Sequence, residues 1–174
     1  SAYGNTPTLP KHEDMATAPL SPYALQKLVG EQYAAMFHDL YGLSTVTLRY
    51  FNVFGPRQDP SSPYSGVISL FIRALTQGRA PTMFGDGEQT RDFTYVTNVV
   101  DGVLLACHAE SVCGVFNLAV GSSVSLNTLF RMLRDIVGVT VEPVYKSPRV
   151  GDVRDSLADL TRAKTHLGYE PSVS

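Results

Sequence analysis

Tyr23 and Lys27 are the residues of this chain best suited to do chemistry. Four positions apart on a helix, a phenol and an ammonium share one face. A free phenol ionises near pH 10 and is a poor base at neutrality unless a fixed positive charge favours the phenolate. One ammonium about 4 Å away, at an effective dielectric of about 20, contributes roughly 4 kcal/mol, or about three pKa units. The same pair on an ordinary amphipathic helix has a plainer reading, in which the ring packs and the ammonium stays in water. The elements around the pair weigh between the two.

Ser21-Pro22 is a helix start, since a serine hydroxyl caps orphan amides and proline suits the first helical position. Leu25, Leu28, Val29, Tyr33, Met36, Phe37 and Leu40 continue as an apolar stripe that ends near Gly42, predicting a helix over 23–41. Residues 44–54 read as one strand rich in β-branched and aromatic residues, breaking at Gly55-Pro56. Helix followed by apolar strand is the grammar of a parallel α/β sheet. A Pro/Ser-rich loop over 56–64 follows, and then a helix over 67–77 and a short strand at Thr82-Met83-Phe84. Arg91 to Val96 is strand-like, Thr97 caps a helix over 99–108, and 115–120 is a buried strand. Ser125 or Ser123 opens a helix running to Gly138, 141–145 is strand-like, and 160–167 is a last helix ending at Gly168.

Five segments in order carry a resemblance. They are Ser1-Ala2-Tyr3-Gly4, Tyr23-x-x-x-Lys27, Arg49-Tyr50-Phe51-Asn52-Val53-Phe54-Gly55, the run from Phe84-Gly85-Asp86-Gly87 to Arg91-Asp92-Phe93, and Arg149-Val150-Gly151-Asp152. Together they resemble the extended short-chain dehydrogenase/reductases, and within them the nucleotide-sugar epimerases of the bacterial UDP-N-acetylglucosamine 4-epimerase type. The fold implied is α/β, the C-terminal part of a Rossmann-like parallel sheet plus a small α/β substrate-binding domain. Residues 1–55 would end the NAD-binding domain, and 56–174 would make mainly the UDP-sugar domain, with some strands returning to the sheet. At 174 residues the chain is about half as long as members of that group. It lacks the Gly-rich turn on which a dinucleotide pyrophosphate meets a helix N-terminus. Gly85-Asp86-Gly87 precedes a strand-like stretch and has no third suitably spaced glycine. The chain therefore reads as the C-terminal half of an epimerase.

The resemblance implies roles position by position. Tyr23 is the base that takes the sugar 4-hydroxyl proton while a hydride passes to NAD, and Lys27 holds the nicotinamide ribose and favours the phenolate. The 4-keto sugar then turns over and recovers the hydride on its other face. Tyr50 and Val53 lie against the nicotinamide, with a core aromatic as the other reading of Tyr50. Asn52, Arg91 and Arg149 hold the diphosphate; guanidinium forks suit phosphate oxygens, and either arginine alone also reads as a surface charge. Phe84 stacks on uracil, Gly66 and Val67 approach the nucleotide, Asp152 meets the ribose, and Ser1 contacts the sugar, with core roles open for Phe84 and Val67. Ser1 stands where the related dehydratases and decarboxylases carry Glu, which speaks against both. The third catalytic residue of the group, a Ser or Thr, falls before residue 1. Ser156 occupies the position where a tyrosine excludes a sugar N-acetyl group. The implied substrates are UDP-GlcNAc and UDP-GalNAc, and also UDP-glucose and UDP-galactose.

Composition adds exclusions. A net charge of −2 gives no electrostatic case for nucleic acid or an anionic membrane, no apolar run approaches a membrane span, and the N-terminus lacks a signal-peptide pattern. Cys107 and Cys113 make no disulfide framework and read as reduced thiols of a cytoplasmic protein. The four histidines lack ligand spacing, so no metal is expected. Met36, Phe37 and Tyr41 are candidates for a homodimer interface, although burial within the monomer gives the same pattern. Two functional classes stay open: a 4-epimerase or related nucleotide-sugar enzyme whose N-terminal half lies outside this chain, or a catalytically inactive piece that binds a UDP-sugar.

Overall fold

The computed structural model describes residues 2–62, 65–149 and 151–174. Ser1, expected to contact the sugar, lies outside them. Helix α1 (Pro22–Tyr41) starts as its sequence predicts: the Ser21 Oγ accepts from the Ala24 amide at 3.1 Å, and Pro22 occupies the first turn. It stops at Gly42, whose φ of 66° is left-handed and whose amide donates to the His38 carbonyl.

The expected strand over 44–54 is two strands with different partners. Strand β1 (Val46–Tyr50) runs parallel to β6 (Gly114–Leu118), whereas β2 (Asn52–Phe54) runs parallel to β5 (Phe93–Tyr95). The switch happens at Phe51: its amide still donates to Leu118, and the next amide, of Asn52, donates to Asp92 instead. Helix α2 (Val67–Thr76) follows the loop, with Gly66 as its N-cap. Strand β3 (Thr82–Phe84) pairs in parallel with β8 (Val144–Lys146), and β4 (Thr90–Arg91) pairs antiparallel with β7 (Val124–Ser125). Helix α3 (Val96–His108) begins earlier than predicted. Tyr95 is its N-cap and Thr97 lies inside the first turn, because β5 feeds directly into the helix. Helix α4 (Leu126–Val137) is capped by Ser125, whose Oγ accepts from the Thr128 amide at 3.2 Å, and α5 (Thr161–Leu167) ends at Gly168.

Two apolar clusters hold these elements. One gathers Phe116, Leu118, Ala158, Leu160, Leu167 and Tyr169, with Val46, Leu48 and Val99 packed against it. Gly102 lets α3 approach β6 closely, since a Cβ there would sit 2.3 Å from Leu118 Cδ1. The other gathers Phe71, Leu75, Met83, Leu126, Leu129 and Phe130, with Val67 packed against it.

Buried Asp92 links the parts. Its carboxylate accepts from the amides of Val120 (3.0 Å), Gly121 (3.0 Å) and Ala158 (3.2 Å), and its own carbonyl receives Asn52. Burial pushes this carboxyl above the ordinary carboxylate range, with the three amides working the other way.

The stripe on α1 is not a core stripe. Only Ala24 and Leu28 are buried, while Leu25, Tyr33, Leu40, Met36 (53% exposed) and Tyr41 (72% exposed) face outward. Burial within this chain is thus excluded as the reason for Met36, Phe37 and Tyr41 being apolar.

Candidate active site

A cleft of about 660 Å³ opens between α1, the C-terminal end of β1 and the segment 151–156. Seven of the expected site residues line it: Tyr23, Lys27, Tyr50, Asn52, Arg91, Asp152 and Ser156. They come from four stretches far apart in sequence, and the topology unites them. Helix α1 packs on β1, the turn at Phe51 brings Asn52 to the same end, and the Asp92 carboxylate anchors the segment that carries Ser156 through Ala158.

Lys27 Nζ lies 5.4 Å from the centroid of the Tyr23 ring, so the helical spacing does place the cation beside the phenol. Tyr23 is half-exposed, and so is Tyr50, which is therefore not a core residue within this chain. Burial pushes the Tyr50 phenol upward, with Cys107 adding to it.

Arg91 is poised for an anion. Burial lowers its pKa from the ordinary value, against the pull of Asp152 and Asp155. Its Nη1 donates to the carbonyls of Thr90 (2.7 Å) and Arg154 (3.0 Å), while among the described residues Nε and Nη2 have no acceptor. A partly desolvated guanidinium with one edge unsatisfied is a binding edge for phosphate or carboxylate oxygens. Ser156 lines the cleft, has no hydrogen-bond partner among the described residues, and with its short side chain adds little bulk to the wall there.

Five other expected residues, Val53, Gly66, Val67, Phe84 and Arg149, do not line this cleft. Val53 lies in β2, and Gly66 and Val67 sit at the start of α2, where Val67, partly buried, packs against the second apolar cluster. Phe84 and Arg149 form a pair of their own: the Arg149 Cζ lies 3.9 Å from the Phe84 ring centroid. One face of Phe84 is therefore taken by Arg149.

Several cleft residues had been given no role. Tyr3 and Arg49 stand in quoted motifs, and Glu31 follows Lys27 by one helical turn, which was the available signal. Lys11 is buried, with Nζ donating to Thr6 Oγ1 (2.6 Å) and to the carbonyls of Thr6 and Thr8; burial lowers its pKa, with Asp155 opposing. Nothing in the local sequence marks it.

The profile of the NAD dependent epimerase/dehydratase family matches residues 1–119. The chain belongs to this family. A UDP-glucose 4-epimerase of Mycolicibacterium smegmatis is 41% identical over 174 residues, all of this chain and 55% of that protein. Among solved structures, the UDP-N-acetylglucosamine 4-epimerase of Methanobrevibacter ruminantium, in complex with UDP-N-acetylmuramic acid, superposes with a TM-score of 0.93 at 42% identity, covering 98% of this chain and 55% of that one. The UDP-glucuronic acid 4-epimerase of Bacillus cereus, solved with UDP-glucuronic acid and NAD, gives 0.92 at 34% identity, over 100% of this chain and 55% of that one. These relatives are Rossmann-like α/β enzymes, and this chain shares that mixed architecture with its parallel strand pairs. The chain thus spans about half the length of the relatives it matches, and none of its helices is, over the described residues, long and apolar enough to cross a membrane.

Proposed function

We propose that the protein carrying this chain is an NAD-dependent UDP-sugar 4-epimerase acting on UDP-GlcNAc and UDP-GalNAc and also on UDP-glucose and UDP-galactose. The observation that carries the reading is the convergence of Tyr23, Lys27, Arg91 and Ser156 on one cleft, from stretches up to 133 residues apart.

The donor set fits the nicotinamide-ribose end of NAD. An ammonium able to donate to ribose hydroxyls lies beside a phenol, next to the exposed ring of Tyr50. Bound NAD would supply the site that takes up and returns a hydride. The chain's own residues would do the rest. Tyr23 takes the proton from the 4-hydroxyl and returns it, Lys27 holds the ribose and the phenolate charge, and Arg91, joined by Arg149 when a nucleotide draws it from Phe84, holds the diphosphate. Asn52 and Asp152 line the nucleotide path, Val53 backs the nicotinamide, Gly66 and Val67 border the base, and the free face of Phe84 accepts uracil. Ser1 would meet the sugar. On this reading residues 1–55 complete the cofactor-binding sheet and 56–174 make mainly the sugar-nucleotide domain. The exposed Met36, Phe37 and Tyr41 of α1 would join two copies, because apolar surface of this kind is a candidate for burial against a partner.

Ser156→Tyr tests the substrate assignment. The added ring would add bulk to that wall and should lower turnover of the acetylated pair by about 100-fold, while UDP-glucose and UDP-galactose are still interconverted, as expected of a steric exclusion. Equal loss on both pairs sinks the role of Ser156. Absence of epimerisation of all four sugars by the wild-type protein supplied with NAD sinks the functional reading.

A further inference from the structure

Tyr23, Lys27 and Glu31 follow one another at four-residue steps along α1, and all three side chains line the cleft. A carboxylate one turn beyond a lysine pairs with it on a helix. Such a pair would place a negative charge against the ammonium that the phenol needs. In this structure Glu31 is held elsewhere. Arg49 grips both of its oxygens, Nε to Oε2 at 2.9 Å and Nη2 to Oε1 at 2.5 Å, in the bidentate geometry that a guanidinium fork favours.

Arg49 is itself held from two other sides. Its Nη1 donates to the Glu13 carbonyl at 3.4 Å, and its Cζ lies 4.8 Å from the Tyr3 ring centroid. The Tyr3 hydroxyl donates to Asn117 Oδ1 at 2.5 Å, Asn117 is the cross-strand neighbour of Arg49, and the Asn117 amide donates to Glu13 Oε1 at 2.7 Å. Burial opposes the charge on Arg49, but Glu31 and Tyr3 overcome it and hold the guanidinium above its ordinary pKa. The arginine therefore stays cationic and in place.

The two side chains are only 10% and 13% exposed. A buried ion pair is a weak source of stability, because two apolar residues of similar volume dock a helix as well. Its value here lies in where it directs charge. We propose that Arg49 is a positioning residue which keeps the Glu31 carboxylate away from Lys27, so that the ammonium beside Tyr23 is not neutralised from its own helix. The importance of this for turnover rests on the epimerase reading; the charge partition itself does not. The other charged or titratable groups facing this region are Tyr3, Lys11 and Glu13 from the N-terminal segment, Tyr50 from β1, Arg91 from β4, and Asp152 and Asp155 across the cleft.

Competitive acetylation of Lys27 reads the partition directly and needs neither cofactor nor activity. Acetic anhydride is pulsed across a pH series, and modification of the Lys27 peptide is followed by mass spectrometry against a reference amine. In Arg49→Met the released carboxylate should favour the ammonium and move the labelling midpoint up by about half a pH unit. Arg49→Met/Glu31→Gln should return it to within about 0.2 unit of wild type, as the charge responsible is gone. Arg49→Gln, which loses both the guanidinium fork and the compensating charge and so also frees the carboxylate to turn toward Lys27, should give the same upward shift and serves if the methionine variant does not fold. A midpoint that stays put in the folded Arg49 variants, or stays high in the double variant, overturns the proposal. A purely structural role would lower the melting temperature and leave the midpoint unmoved. If the labelling shifts as expected while the wild-type protein epimerises nothing, the charge partition stands and the functional reading falls.

Discussion

Asp92→Ala should be among the most damaging single changes in this chain, and its size can be worked from three distances. Asp92 is fully buried, and its carboxylate is the acceptor for the amides of Val120, Gly121 and Ala158 at 3.0, 3.0 and 3.2 Å. Alanine supplies none of the three bonds and leaves three amides without an acceptor. At about 1–3 kcal/mol for each orphaned buried group, less what water entering the space recovers, the loss is about 3–5 kcal/mol. That is a large share of the 5–15 kcal/mol typical of a folded domain. The damage should also reach the cleft, because Ala158 belongs to the same stretch as Asp155 and Ser156. Equilibrium urea unfolding followed by circular dichroism would show the midpoint falling with little change in slope. Asp92→Asn, whose single carbonyl oxygen can still accept two amides, should lose less than alanine does. An alanine variant within about 1 kcal/mol of wild type would refute the reasoning, because the three amides would then have found other acceptors.

Tyr169 makes an alkaline prediction. Its ring is buried, its hydroxyl donates to the Ala119 carbonyl at 2.8 Å, and burial, with Asp92 and Asp101 adding, pushes the phenol up to about 12. The folded state therefore keeps this proton longer than the unfolded chain does. Its contribution is whole below about pH 10 and is lost as pH rises through about 12, a change of roughly 3 kcal/mol. Tyr169→Phe should cost about 1 kcal/mol at neutral pH but show a shallower loss between pH 10 and 12. Parallel curves for the two proteins would contradict this. Gly102→Ala ought to destabilise by about 1–2 kcal/mol despite the better helix propensity of alanine, because the new methyl would meet Leu118 in the core. A raised melting temperature would show that α3 can shift away from β6 without loss.

How much was legible in advance can be traced residue by residue. The two ends of α1 follow from Ser21, Pro22 and Gly42, and those of α4 from Ser125 and Gly138, because caps act within one helical turn. The break between β1 and β2 was not legible. Residues 44–54 are rich in β-branched and aromatic residues throughout, and only competition between Leu118 and Asp92 for successive amides divides them. The start of α3 was misplaced because Thr97 is a good cap by composition, yet the direct passage from β5 puts Tyr95 at that position. On α1 the periodicity of the apolar residues was right, but a stripe does not say whether its own chain covers it, and most of this one remains exposed. The stacking of Arg149 on Phe84 and the gripping of Glu31 by Arg49 join residues 65 and 18 positions apart, which no local rule connects.

By itself the sequence determined everything that depends on neighbours along the chain. The ends of α1 and α4, the Tyr23 to Lys27 to Glu31 spacing, and the ordered motifs that mark the family all belong there. The tertiary structure decided which strand each amide joins, that seven of the expected residues share one cleft, and that the Glu31 carboxylate goes to Arg49. The physical reason is the range of the forces. Caps and helical periodicity act over a few residues, whereas desolvated charges and buried amides choose partners by position in space, and those positions exist only once the chain has packed.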